Sequence, residues 1–185
     1  EIAVVDGTRG IGNGLLLPAG PLREPTSRLE EVDWVIANGE PSGLSDCESV
    51  MRMHADGFFN LATAERLDCA EFVRRFPQIH AVCGIGNPAR FFNSLHELGL
   101  ATVKHTYSDH YDFAGQEVRF GDALQVVCTE KDAAKLNHLE EDFSHVWFLR
   151  VSVDLPAEAR QRLRSLLQAR GIAPNRELAE SGGLL

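Results

Sequence analysis

Lysine is scarce in this sequence. Three lysines stand in 185 residues, Lys104, Lys131 and Lys135, and none follows a glycine. A P-loop needs G-x-x-x-x-G-K-[ST], whose backbone amides cradle phosphates while the lysine neutralises them. The motif is absent from these residues. If the chain works with a nucleoside triphosphate through such a loop, the loop lies elsewhere. Paired cysteines are also lacking. Cys47, Cys69, Cys83 and Cys128 form no C-x-x-C motif, so neither a zinc knuckle nor a redox pair is indicated. Cys83 and Cys128 sit in apolar runs and are expected to be buried, reduced thiols of a cytoplasmic protein. No apolar run approaches the ~20 residues needed to span a bilayer, and no signal peptide is evident. Positive charge is short too: the formal net charge is -9. That argues against nonspecific nucleic-acid binding, which uses basic stripes. It leaves room for a nucleotide or an anionic lipid held by a few local arginines.

Apolar residues make up 44% of the chain, enough for a packed core. Ile2–Val5 and Trp34–Ala37 are short apolar runs suited to strands buried on both faces. Between them lies a glycine- and proline-rich stretch, 7–25, expected to be a long ordered loop, with one or two helical turns over Ser27–Val32. A polar loop covers 40–48. Met51–Leu61 is expected to be extended, with a hairpin around Asp56-Gly57. Cys69–Phe76 suits a short helix. The clearest unit follows: a strand at Ile79–Cys83, a turn at Gly84-Ile85-Gly86, and a helix begun by Asn87 as cap and Pro88 at its first position. Phe91, Phe92, Leu95 and Leu98 share one face of that helix, and Gly99 stops it. Further strands are expected at Ala101–His105, Ala123–Cys128 and Val146–Val153. Short helices follow Thr129 and Pro156, and the tail 175–185 is expected to fray. Strand and helix alternate, which predicts an α/β fold with a largely parallel sheet. The sequence opens inside a strand without a methionine, as though part-way through a larger fold.

Candidate functional residues fall at the carboxyl ends of strands, where open α/β sheets bind ligands. Gly84, Gly86 and Asn87 form a βα turn that suits an anion, although Pro88 removes one amide donor. The alternative is a close-packed turn. His105, Asp109 and His110 form a polar cluster after a strand, with Tyr107 and Tyr111 nearby. No third ligand at helical spacing accompanies them, so no metal site is expected. An Asp-His pair there can orient or shuttle a proton; otherwise Asp109 caps its loop. Thr129, Glu130, Lys131 and Asp132 follow another strand and could touch substrate or nucleotide, or cap a helix and carry solvated charge. Arg23-Glu24-Pro25 offers an arginine to phosphate or sugar, or a surface ion pair. The glycines of 7–14 lack the G-x-G-x-x-G spacing and suit a loop with positive φ angles.

These pieces together resemble the tetraacyldisaccharide 4'-kinase family. The matching strings are Val4-Val5-Asp6-Gly7 with Gly10, Gly12-Asn13-Gly14, and Leu17-Pro18-Ala19-Gly20-Pro21-Leu22-Arg23-Glu24-Pro25. Asn38-Gly39 follows, then Gly84-Ile85-Gly86-Asn87-Pro88 with Arg90-Phe91-Phe92, Asp109-His110 with Phe113, and Thr129-Glu130-Lys131-Asp132-Ala133. The resemblance runs from Val4 to about Leu155. It implies transfer of the γ-phosphoryl group of ATP, with Mg2+, to the 4'-hydroxyl of a tetraacylated glucosamine disaccharide 1-phosphate. It implies a P-loop kinase core and a smaller C-terminal α/β domain joined by a β-ribbon. Here that gives core residues 1–50, ribbon 51–77, second domain 78–174, with a last helix that could pack back on the core, and tail 175–185. It implies that His110, beside Asp109, orients an aspartate base lying upstream of Glu1 with the P-loop. Arg23, Glu24 and Asn13 would meet the lipid disaccharide or its phosphate. Thr129, Glu130, Lys131, Gly84, Gly86 and Asn87 would be weaker nucleotide or substrate contacts. Peripheral attachment to the cytoplasmic face of the bacterial inner membrane would come from upstream segments. Alone, the chain is expected to be inactive. The alternatives are a nonenzymatic α/β binding module and a nucleotide-dependent enzyme of another class using the Gly84–Pro88 turn.

Overall fold

A computed structural model describes residues 1–172 except Cys47 and Glu140. The tail expected to fray, 175–185, lies outside the described residues. In chain order the strands are β1 (Ile2–Asp6), β2 (Trp34–Asn38), β3 (Ser49–Asn60), β4 (Arg66–Leu67), β5 (Gln78–Cys83), β6 (Ala101–Thr106), β7 (Gln125–Thr129) and β8 (Val146–Asp154). The helices are α1 (Cys69–Arg75), α2 (Pro88–Glu97), α3 (Glu130–Leu136) and α4 (Ala157–Ala169). The chain divides into two compact units: Glu1–His54 with the chain from Val153 onward, and Ala55–Ser152. β3 and β8 each run from one unit into the other. The α/β, mainly parallel fold expected from the alternation of strand and helix is what the chain adopts.

In the first unit β1, β2 and the start of β3 pair in parallel. Trp34 to Ala37 are buried, as a strand covered on both faces requires. Trp34 and Ile36 pack with Ala159, Leu163 and Leu166 of α4. The indole N–H of Trp34 donates to Ser49 Oγ at 3.2 Å, so the buried donor is satisfied. The expectation for Ile2–Val5 needs correction. Ile2 and Val4, two residues apart and so on one face, are 39% and 59% exposed. β1 is the edge of its sheet, and that face is only partly covered by the described residues.

In the second unit the parallel order is β8-β7-β5-β6. Alternation along the strands builds two cores. Ile79, Ala81 and Cys83 of β5 face Phe72 of α1 and Phe91, Phe92 and Leu95 of α2. Val82, Val126 and Cys128 face Ala133 and Leu136 of α3, with Phe113 and Val118. α2 starts as expected: Asn87 accepts from the Arg90 amide and Pro88 takes the first position. The hairpin is displaced. β3 runs straight through Asp56-Gly57, and the turn comes after Asn60. There Asn60 Oδ1 accepts from the amides of Ala62 (3.1 Å) and Thr63 (2.9 Å), and β4 returns antiparallel against Phe58 and Phe59. Gly57 serves a close approach instead: a Cβ there would lie 2.8 Å from the Leu67 carbonyl oxygen.

Candidate functional site

Three loops of the second unit leave the carboxyl ends of its parallel strands. After β5, Gly84-Ile85-Gly86 turns into α2. After β6, residues 107–118 form a long excursion. After β7, Thr129 caps α3, its Oγ1 accepting from the Asp132 amide at 3.2 Å. The structure brings Gly84, Gly86, Asp109, His110, Thr129 and Lys131 to this edge.

Asp109 and His110 sit in a turn closed by the Tyr111 amide on the Ser108 carbonyl, 3.1 Å. His110 is its third residue, at φ +61°. Glycine or asparagine ordinarily takes that place, because a side chain there is strained. Strain of this kind is retained mainly at functional sites. The His110 side chain is 78% exposed, with Nε2 3.8 Å from Asp109 Oδ2. Asp109 Oδ1 accepts from the His110 amide at 3.0 Å and lies 3.4 Å from Lys131 Nζ. Desolvation works against the Asp109 carboxylate, but the Lys131 hydrogen bond and the adjacent His110 outweigh it and hold the group below its usual range. Gly86 leaves room for it: a Cβ at Gly86 would stand 3.4 Å from Asp109 Oδ2.

The long loop is held from beneath. Glu117 is buried and accepts from the Tyr111 hydroxyl and the Ala114 amide, both at 3.0 Å. Burial disfavours its charge, yet these and neighbouring amide bonds keep the carboxyl below its ordinary pKa. Gly84 is needed for packing, since a Cβ there would come 3.3 Å from Phe113, the Ser108 carbonyl and Tyr111.

The remaining candidates fall differently. Asn87 is occupied as the cap of α2. Glu130 borders an apolar groove of about 310 Å³ with Phe59, Leu61 and Phe148. His105 does not join Asp109 and His110, which corrects the cluster expected from sequence. Its Nε2 is 2.9 Å from Nδ1 of buried His80, whose Nε2 is 3.0 Å from Asp122 Oδ2. Phe120 stacks on both imidazoles at 4.0 and 4.1 Å. Adjacent parallel strands bring the two rings together, and residues 25 apart give no local signal of it.

In the first unit Asn13 is spent on its own loop. Its Oδ1 accepts from the Leu15 amide at 3.1 Å, and its Nδ2 donates to the Ala19 carbonyl at 3.0 Å. Glu24 pairs with Arg28 at 3.2 Å. Arg23 is exposed and forms no ion pair among the described residues. Among the described residues no group of three or more His, Cys, Asp or Glu side chains is arranged to hold a metal ion. No described helix is long and apolar enough to cross a membrane.

Sequence reading missed Lys135 and the inward turn of Asp132. The signal available was their i, i+3 spacing on one helix face. Asp132 is fully buried, with Oδ2 3.0 Å from the Gly84 amide and 2.7 Å from the Thr129 hydroxyl. Its charge, after burial itself, helps push the Cys83 thiol up to about 11.

Comparison with known proteins agrees with this architecture. The family described as tetraacyldisaccharide-1-P 4'-kinase matches residues 1–168. The tetraacyldisaccharide 4'-kinase of Alcanivorax borkumensis is 46% identical over 156 residues, which is 84% of this chain and 46% of the relative. That of Nitrosococcus oceani is 41% identical over 168 residues, 91% of this chain and 48% of the relative. A crystal structure of LpxK from Aquifex aeolicus, described as an "apo" form in complex with ATP, superposes with a TM-score of 0.62 at 21% identity. It covers 91% of this chain and 51% of that one, and the likeness is one of fold. The chain thus spans about half the length of the curated relatives it matches. On the family match and these identities, the chain belongs to the tetraacyldisaccharide 4'-kinase family.

Proposed function

We propose that this chain supplies one part of a kinase that moves the γ-phosphoryl group of ATP to the 4'-hydroxyl of a tetraacylated disaccharide 1-phosphate. The observation that carries the reading is the Asp109-His110 turn: a strained, exposed imidazole beside a carboxylate, at the ligand-binding edge of a parallel sheet. The sequence offers no loop to cradle a nucleotide's phosphates, and the described residues hold no ligand cluster for Mg2+. No Gly-Lys loop is present in the sequence, and Pro88 blocks an amide at the start of α2. ATP, Mg2+ and the aspartate base are therefore assigned to the part of the relatives that this chain does not cover, and the isolated chain is inactive in this reading.

Phosphoryl transfer depends mostly on positioning and charge stabilisation. His110 is the residue that orients the base, and Asp109 tethers the turn that carries it. Arg23 and Glu24 meet the disaccharide or its phosphate, while Asn13 shapes their loop. Lys131, Thr129, Glu130, Gly84, Gly86 and Asn87 frame the edge near substrate or nucleotide. Residues 1–50 belong to the kinase core, 51–77 to a ribbon and 78–174 to a second domain whose last helix packs back on the core. Peripheral attachment of the whole enzyme to the cytoplasmic face of the membrane is assigned, in this reading, to the part that this chain does not cover.

The test joins this chain to the uncovered part of the Alcanivorax borkumensis relative and follows ATP-dependent phosphorylation of the lipid disaccharide. The fusion should turn over and the chain alone should not. His110→Ala should lower kcat by about 10-fold or more with KM changed less, as an orienting group acts mainly in the transition state. Near-parent turnover by His110→Ala would remove His110 from the mechanism. Phosphorylation by the chain unaided would sink the divided site, and an inert fusion would favour a binding module.

A further inference from the structure

Burying a carboxylate is costly unless it is paired and hydrogen-bonded. Capping α3 needs only the Thr129 hydroxyl, so the buried charge of Asp132 calls for another reason. Its Oδ2 takes the Gly84 amide and the Thr129 hydroxyl, which joins the loops after β5 and β7. Its Oδ1 lies 3.4 Å from Nζ of Lys135, whose side chain is 24% exposed. That ammonium also donates to the Tyr111 carbonyl at 2.9 Å and lies 5.5 Å from the centre of the Phe113 ring. Tyr111 closes the turn that holds Asp109 and His110. One ion pair thus connects all three loops of the edge, and it reaches the His110 turn through a backbone carbonyl, not through a side chain.

We propose that Asp132 and Lys135 are the positioning pair of this site: they fix the His110 turn to the ends of β5 and β7. A pair of this kind adds little stability over an apolar replacement, but it allows one loop position where apolar packing would allow several. The catalytic consequence rests on the kinase reading above; the positioning itself is a property of the fold.

Two measurements keep those apart. Lys135→Met keeps the stem and removes the ammonium. In the chain as it stands, hydrogen exchange at the Tyr111 amide should speed up by about 10-fold or more, while amides of β5 and β7 stay within about threefold. In the kinase fusion the same variant should lower kcat by about 10-fold with KM for ATP and lipid within about threefold, and Lys135→Arg should recover most of the turnover. Unchanged exchange at Tyr111 overturns the proposal. So does equal loss of protection across β5 and β7, which would mark the pair as general support for the fold. Faster exchange confined to the turn supports it, even in a chain whose parent fusion is inactive; that last result would overturn the kinase reading alone.

Discussion

Two loops of this molecule reach a fixed shape by opposite means. In the first unit, residues 7–25 are held by their own neighbours. The Gly20 amide bonds the Leu16 carbonyl at 3.0 Å, Leu17 bonds Leu22 at 2.8 Å, and Asn13 ties both sides of the turn. Glycines at positive φ supply the bends. In the second unit, residues 107–118 are held from α3 by Lys135 and the buried Asp132, and from within the loop by Glu117. The first loop is built from local backbone chemistry and keeps Leu15, Leu16 and Leu17 roughly half exposed. The second joins a local carboxylate tie to a long-range contact from α3. A locally built loop should fail when one of its own residues changes, whereas one hung on a hub should fail when a residue of α3 changes.

The sharpest way to break the contrast is Asp132→Ala. It leaves the Gly84 amide, the Thr129 hydroxyl and the Lys135 ammonium without their shared acceptor, at a cost of about 3–5 kcal/mol. Urea unfolding should show the loss, and a change below about 1 kcal/mol would mean that the hub is dispensable. Gly20→Ala probes the other loop. Its Cβ would lie 2.3 Å from the Leu15 carbonyl oxygen, within a backbone that cannot step aside without opening the turn. The expected loss is about 1–3 kcal/mol of local strain. Amide exchange should rise over 13–22 and stay unchanged on β5 and β7. Spread of the effect to those strands would erase the distinction between the two loops.

The same contrast explains what was legible in the sequence. Parallel strands are continuous apolar runs, so Trp34–Ala37 and Ile79–Cys83 stood out without any tertiary knowledge. α2 was marked at both ends by Asn87-Pro88 and Gly99, and the glycine-rich loop announced itself by composition. The Asp-Gly signal misled because Gly57 answers to the Leu67 carbonyl across the ladder, while an asparagine three residues later makes the turn. Asp109 and His110 stood out because a polar pair after a strand is a local pattern. Asp132 looked like half of a cap and a solvated charge, since nothing in Thr129-Glu130-Lys131-Asp132 says which carboxylate turns inward. His105 was grouped with its near neighbours along the chain, but its partner belongs to the adjacent strand. Local chemistry was readable; contacts closed by the sheet were not.

The smallest expected effect tests the third polar group of the second unit, and it depends on sign. Burial, and then the neighbouring His80, lower the pKa of His105. The unfolded chain therefore binds a proton at His105 near pH 6.5, while the folded chain still refuses it. Stability should fall as pH drops from about 6.5 toward the depressed folded value, and level off below that value. Asp109 and Asp122 have lowered pKa values, so their contribution is lost at more acid pH, below the ordinary carboxylate range. The window just below pH 6.5 thus separates His105 from those carboxylates. His105→Gln keeps a donor for His80 and removes the titration, so its melting temperature should vary less across that window than the parent's. Equal slopes for parent and variant would show that the ring accepts its proton in place. The His80–His105 contact would then hold the strand edge regardless of charge, in contrast to the role proposed for the Asp132–Lys135 ion pair.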